Sequence, residues 1–90
     1  MERRAYRITG RVQGVGFRWW TRKTASALNI RGTVRNARDG SVEVEVAGPA
    51  ADLDTFEDRL RRGPAGAHVR ALDREEPGRE DLPTGFEIVR

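Results

Sequence analysis

The chain has 90 residues, no cysteine and a single histidine, His68; that is room for one domain, residues 1–90, and it excludes disulfides, thiolate chemistry, cysteine-bound zinc and a histidine metal cluster. Its net charge of +3 hides an asymmetry: residues 1–38 hold ten basic and one acidic side chain (+9), residues 39–90 seven and thirteen (−6). No apolar run approaches the ~20 residues of a membrane span and the first residues lack a signal-peptide core, so no membrane association and a cytoplasmic location are expected.

Residues 4–12 alternate, with Tyr6, Ile8 and Val12 on one face and Arg7, Thr9 and Arg11 on the other, as a half-buried strand requires. QGVGF, residues 13–17, breaks the pattern into a glycine-rich loop. From Arg18 a helical period begins, with Trp20, Thr24, Ala27 and Leu28 on one stripe, and Asn29 and Gly32 end it by about residue 30. Residues 32–36 read as a short strand with Val34 inward, and Asp39-Gly40 as a hairpin turn. In the strand 41–47, Val42, Val44 and Val46 face inward while Ser41, Glu43 and Glu45 face water.

Pro49 opens a second helix over residues 50–62, with Leu53, Phe56 and Leu60 inward and Gly63-Pro64 as its stop. Glu57–Arg61 and Asp58–Arg62 are spaced as i,i+4 pairs, and Asp52, Asp54, Glu57 and Asp58 complement the helix dipole. A weaker strand at 68–75, a polar loop at 76–85 and a last strand from Phe86 complete the chain. The order is that of an α+β, ferredoxin-like βαββαβ sandwich, an antiparallel sheet with two helices on one face, plus a terminal strand.

Chemistry concentrates at GRVQGVGFR, residues 10–18. Gly14 and Gly16 permit a bend whose N–H groups converge on an anion, and the following helix adds the positive end of its dipole. Arg18 at that helix start works against the dipole unless an anion lies between them, and its guanidinium takes two phosphate oxygens at once. The same residues are also compatible with a plain tight turn and a solvated arginine. Asn36, at the end of a strand, offers an amide that can orient water, or serves the turn locally. Neither a Walker A loop nor a dinucleotide fingerprint is present. His68 reads as a surface strand residue.

GRVQGVGFR, GTVRNARDGSVEVEVAGP (32–49), RLRRGPAGAHV (59–69) and FEIVR (86–90) resemble the acylphosphatase family along essentially the whole chain. The resemblance implies hydrolysis of a small-molecule acyl phosphate to a carboxylate and inorganic phosphate, with no metal and no cofactor. By motif position, Arg18 is similar to the family's phosphate-binding arginine and the backbone of Gln13, Gly14, Val15, Gly16, Phe17 and Arg18 to its phosphate cradle. Asn36 corresponds to the asparagine that holds the attacking water, and Thr21 to a supporting threonine. Gly16 stands where an aromatic is often found, and Thr33 replaces a large aromatic. The expected protein is a monomer, with phosphate as product and competitive ligand.

Two other readings compete with this one. An RNA-recognition module shares the sandwich, but GVGF falls in a loop and the best strand presents Glu43 and Glu45, which repel phosphates, so no nucleic-acid partner is expected. A regulatory or maturation domain of a larger protein needs partner domains for which 90 residues leave no room. The basic excess of residues 1–38 reads as a field that attracts a small dianion, with most arginines other than Arg18 solvated.

Overall fold

A computed structural model describes all residues, 1–90, as β1 (Glu2–Arg11), α1 (Phe17–Ala27), β2 (Arg31–Asn36), β3 (Val42–Gly48), α2 (Ala50–Arg62), β4 (His68–Glu75) and β5 (Phe86–Ile88). The five strands form one sheet in the order β4-β1-β3-β2-β5. Both helices lie on one face, as expected for the ferredoxin-like sandwich. The expectation of a purely antiparallel sheet is corrected at one edge. β1, β2, β3 and β4 pair antiparallel, but β5 runs parallel to β2, with Val34 opposite Ile88. The loop 76–85 spans the molecule before β5, so the last strand enters in the same direction as β2 and no hairpin forms.

The valines of β3 are at the centre of the core, with Val42, Val44 and Val46 at most 2% exposed. Tyr6 and Ile8 of β1 join them from the neighbouring strand, and Leu53, Phe56 and Leu60 of α2 close over the sheet. Phe56 lies between Tyr6 and Phe86, with ring centroids 6.5 and 6.4 Å away. Burying a side chain of this size stabilises the fold by roughly 1.5–3 kcal/mol.

On α1 the buried stripe is Phe17, Thr21, Thr24 and Ala25; of the expected stripe, Thr24 is buried, Trp20 and Leu28 pack partly buried against the core, and Ala27 is not part of it. The helix starts at Phe17, one residue earlier than read, and this bulky ring sets the inward face. Trp20 packs edge-on against it at 5.5 Å, partly buried, while Ala27 is exposed. The helix ends in a Schellman turn: Asn29 takes φ 57, Ile30 N–H donates to Ala25 O at 3.0 Å and Asn29 N–H to Ser26 O at 3.3 Å.

Most arginines other than Arg18 are exposed, as expected, but several of them are paired. The β1–β3 and β2–β3 registers set Arg7 and Arg35 opposite Glu43, and opposite charges across a ladder attract. On the open face of the sheet Arg3 pairs with Glu45, Arg7 with Asp39, Glu43 and Glu75, and Arg35 with Glu43. On the helix-covered face Arg4, 8% exposed, pairs with Glu2 and Asp54. Part of the basic first half is therefore neutralised by acids of the second half across the sheet. Ser41, expected to face water, is 2% exposed, its hydroxyl donating to Asp39 at 2.6 Å and accepting from Arg7 at 2.9 Å. Of the i,i+4 pairs expected on α2, Glu57–Arg61 forms at 3.3 Å and Asp58–Arg62 does not. Glu57 also binds Arg74 at 2.8 Å, and Asp54 is taken by Arg4, so only Asp52 serves the first turn.

Candidate active site

The loop leaving β1 turns twice through left-handed backbone, at Gly14 (φ 75) and Gly16 (φ 78). A Cβ at either position would meet nothing within 4 Å, so it is the dihedral angle, not space, that calls for glycine. Gly16 is the N-cap of α1, no side chain caps the helix, and its first turn holds no acid. The N–H groups of that turn consequently lack intrahelical partners and point out of the helix end with the positive pole of its dipole. Phe17, 1% exposed, anchors the turn in the core.

This helix end and the end of β2 meet at a cavity of about 190 Å³, lined by Gly14, Gly16, Arg18 and Asn36. Val12 and Phe17, both 1% exposed, back it, and Trp19 and Ile88 supply the accessible apolar wall. At about 30 Å³ per water, the volume accommodates a phosphoryl group with water beside it. The residues expected from sequence thus separate into two sets. Arg18, Asn36, Gly14, Gly16 and Phe17 line the cavity; Gln13, Val15 and Thr21 do not.

Each member of the second set has another place. The Gln13 side chain is turned toward the β2–β3 hairpin, where its Nε2 donates to Ala37 O at 2.8 Å and to Ser41 O at 2.9 Å. It ties the glycine loop to the residue next to Asn36. Val15 packs against the core edge, and Thr21 is fully buried under α1 with an unpaired hydroxyl. Sequence reading missed Trp19, Val12 and Ile88 as cavity residues. Ile88 reaches the site only through the parallel pairing of β5, which no local periodicity signals.

Two polar groups in the cavity are unused. Asn36 Oδ1 is buried without a hydrogen-bond partner, although a buried carbonyl oxygen ordinarily has one. Arg18 is half-buried and is absent from the ion pairs, which engage Arg3, Arg4, Arg7, Arg35, Arg61 and Arg74. The hairpin's own acid, Asp39, is occupied elsewhere. Hydrogen bonds from the Ser41 hydroxyl and N–H, and the nearby Arg7, hold its carboxyl below the usual range. A half-buried arginine, an uncapped helix end and an orphaned acceptor therefore share one small volume. The lining side chains include no carboxylate, imidazole or thiol; the polar groups there are the Arg18 guanidinium, the Asn36 amide and the N–H groups of the helix end. A second depression, on the open sheet face, is lined by Glu43, Glu45, Glu75 and Glu76 beside Arg35, a surplus of negative charge that repels phosphates. No aromatic side chain is available on that face for a nucleobase to stack on, since Tyr6, Phe56 and Phe86 are in the core.

The Acylphosphatase family model matches residues 4–88. An acylphosphatase of Rhizobium etli is 50% identical over 83 residues, covering 92% of this chain and 88% of that protein. One of Mesorhizobium japonicum is 49% identical over the same shares of the two chains. The crystal structure of the Bacillus subtilis acylphosphatase superposes with a TM-score of 0.91 at 31% identity, covering 100% of both chains. A helix end open to an anion, an arginine without a counterion and whole-length similarity to these enzymes lead to one assignment: the chain belongs to the acylphosphatase family.

Proposed function

We propose that Arg18 and the backbone N–H groups of residues 13–18 hold the phosphoryl group of an acyl phosphate, and that Asn36 positions the water that attacks it. The reaction is that of an acylphosphatase: water adds to phosphorus, the carboxyl–phosphate bond breaks, and carboxylate and inorganic phosphate leave. The observation that carries the assignment of roles is the shared cavity of Arg18 and Asn36, both without protein partners.

The chemistry follows from these groups. The guanidinium and the helix-end N–H groups are fixed before substrate arrives, so they offset phosphoryl charge in the transition state without reorganising. Asn36 Oδ1 accepts a hydrogen bond from water and restricts its approach to the side away from the leaving carboxylate. A carboxylate is a good leaving group and needs no strong general acid. With no side-chain base in the cavity, the water's proton passes to a phosphoryl oxygen of the substrate. Thr21, fully buried beneath the helix end, supports the site through its packing. The protein acts as a single-domain monomer in the cytoplasm, which sedimentation and cell fractionation test.

The activity assay is phosphate release from benzoyl phosphate. Turnover is expected with and without chelator, with inorganic phosphate competing. No turnover by the folded protein, or loss of it on chelation, overturns the reading.

A further inference from the structure

An acyl phosphate has two halves, and the cavity's polar groups account for only one. Trp19 is 57% exposed, the one large apolar side chain besides Met1 left in solvent. It has no part in the core cluster, whereas its neighbour Trp20 packs against that cluster. A single exposed apolar residue needs no explanation by itself; what sets Trp19 apart is that it lines the same cavity as Arg18 and Asn36. Side chains on a helix lean toward its N-terminus, so the indole is carried to the end where the N–H groups open. Lys23, one turn further along α1, sets its ammonium 5.3 Å from the Trp19 ring centroid. That contact engages the ring through its π-face and limits its rotamers, so the platform is partly ordered before binding. Ile88 is the other accessible apolar group of the lining.

We propose that Trp19 is a specificity-determining residue that receives the acyl half of the substrate, so that the enzyme favours acyl phosphates with a planar, apolar acyl group over small ones. This rests on the reading of the cavity as the phosphoryl site: with phosphate at the helix end, the acyl group emerges along the wall that Trp19 and Ile88 form. Stacking on the indole contributes to binding and to the transition state, and an acetyl group is too small to use it.

The test measures kcat/KM for benzoyl phosphate and acetyl phosphate in the wild type, Trp19→Ala and Trp19→Phe, together with inhibition by inorganic phosphate. Comparing ratios between variants cancels the different intrinsic reactivities of the two substrates. In Trp19→Ala the benzoyl-to-acetyl ratio should fall about three- to tenfold, because benzoyl phosphate loses more than acetyl phosphate; Trp19→Phe should recover most of the ratio. An unchanged ratio, or equal losses on both substrates, overturns the proposal. Failure of phosphate to compete in the wild type overturns the cradle instead, whatever the ratio does. Trp19 is exposed and alanine is the best helix former, so the variant is expected to fold, and Trp19→Phe provides an independent reading of the ring's role.

Discussion

Gln13→Met tests how the site is held together. The substitution keeps the length of the side chain and removes its two donors, those at 2.8 Å to Ala37 O and 2.9 Å to Ser41 O. Both carbonyls keep one backbone partner, Gly40 N–H at 3.2 Å for Ala37 O and Ala37 N–H at 2.9 Å for Ser41 O, so neither is orphaned. The stability loss should then be that of two ordinary hydrogen bonds, about 1–3 kcal/mol, or roughly 5–20 °C in Tm at about 4–8 °C per kcal/mol for a domain of this size. The catalytic consequence is separate. Without the tie, the hairpin carrying Asn36 is no longer fixed against the glycine loop, and a displacement near 1 Å costs up to about 10²-fold. Well below the lowered Tm, kcat on benzoyl phosphate should fall about 10- to 100-fold while phosphate inhibition, which the proposed mechanism assigns to Arg18 and the helix end, changes little. Unchanged kcat with lowered Tm would show that the tie is only structural, and weakened phosphate inhibition with unchanged kcat would show that Gln13 serves the anion directly.

Gly16→Ala meets no steric obstacle but must hold φ 78, costing about 1–2 kcal/mol of backbone energy; activity should fall together with phosphate affinity, which steady-state inhibition kinetics measure. Thr21→Val removes an unpaired buried hydroxyl, so Tm should hold or rise and kcat, with the packing kept, should hold; a drop in kcat would show that the hydroxyl itself serves the site. Tyr6 is a control far from catalysis: burial, with Glu57 nearby, pushes its hydroxyl up to about 12 against the pull of Arg4, and the hydroxyl makes no hydrogen bond. A raised value means stability that is fully present below pH 10 and lost as pH climbs through 12, about 2–3 kcal/mol; Tyr6→Phe should abolish that alkaline loss in urea titrations and leave kcat unchanged.

The parts of the fold legible in the sequence were those whose pattern is local. β3 and α2 carry clean periods, and Asp39-Gly40, Pro49 and Gly63 mark their ends. The loop and Arg18 were legible because two glycines and an arginine against a helix dipole have few common explanations. What was not legible depends on partners distant in sequence. β5 lies parallel to β2 because of where a long loop delivers it, and Ser41 is buried because Arg7 and Asp39 close over it. The α1 stripe was rotated because Phe17, read as loop, is the first helical residue. Gln13 was assigned through its backbone, and its side chain's reach to the hairpin cannot be read from composition. Part of the charge asymmetry, read as a field for substrate, is the sheet's own ion pairing of Arg3, Arg4, Arg7 and Arg35. Arg11, Arg22, Arg31 and Arg38 make no ion pair either, so what sets Arg18 apart is its place in the cavity beside Asn36, and that place, not the total charge, carries the proposal.

On the proposed mechanism Arg18 holds the phosphoryl group while Asn36 acts on water. Steady-state kinetics on benzoyl phosphate with inorganic phosphate as inhibitor, for Arg18→Gln and Asn36→Ala side by side, separate the two roles. Arg18→Gln should lose phosphate inhibition and about 10²–10³-fold in kcat/KM; Asn36→Ala should lose kcat on a similar scale yet bind phosphate nearly as the wild type does. Undiminished turnover or undiminished phosphate inhibition in Arg18→Gln would contradict the account.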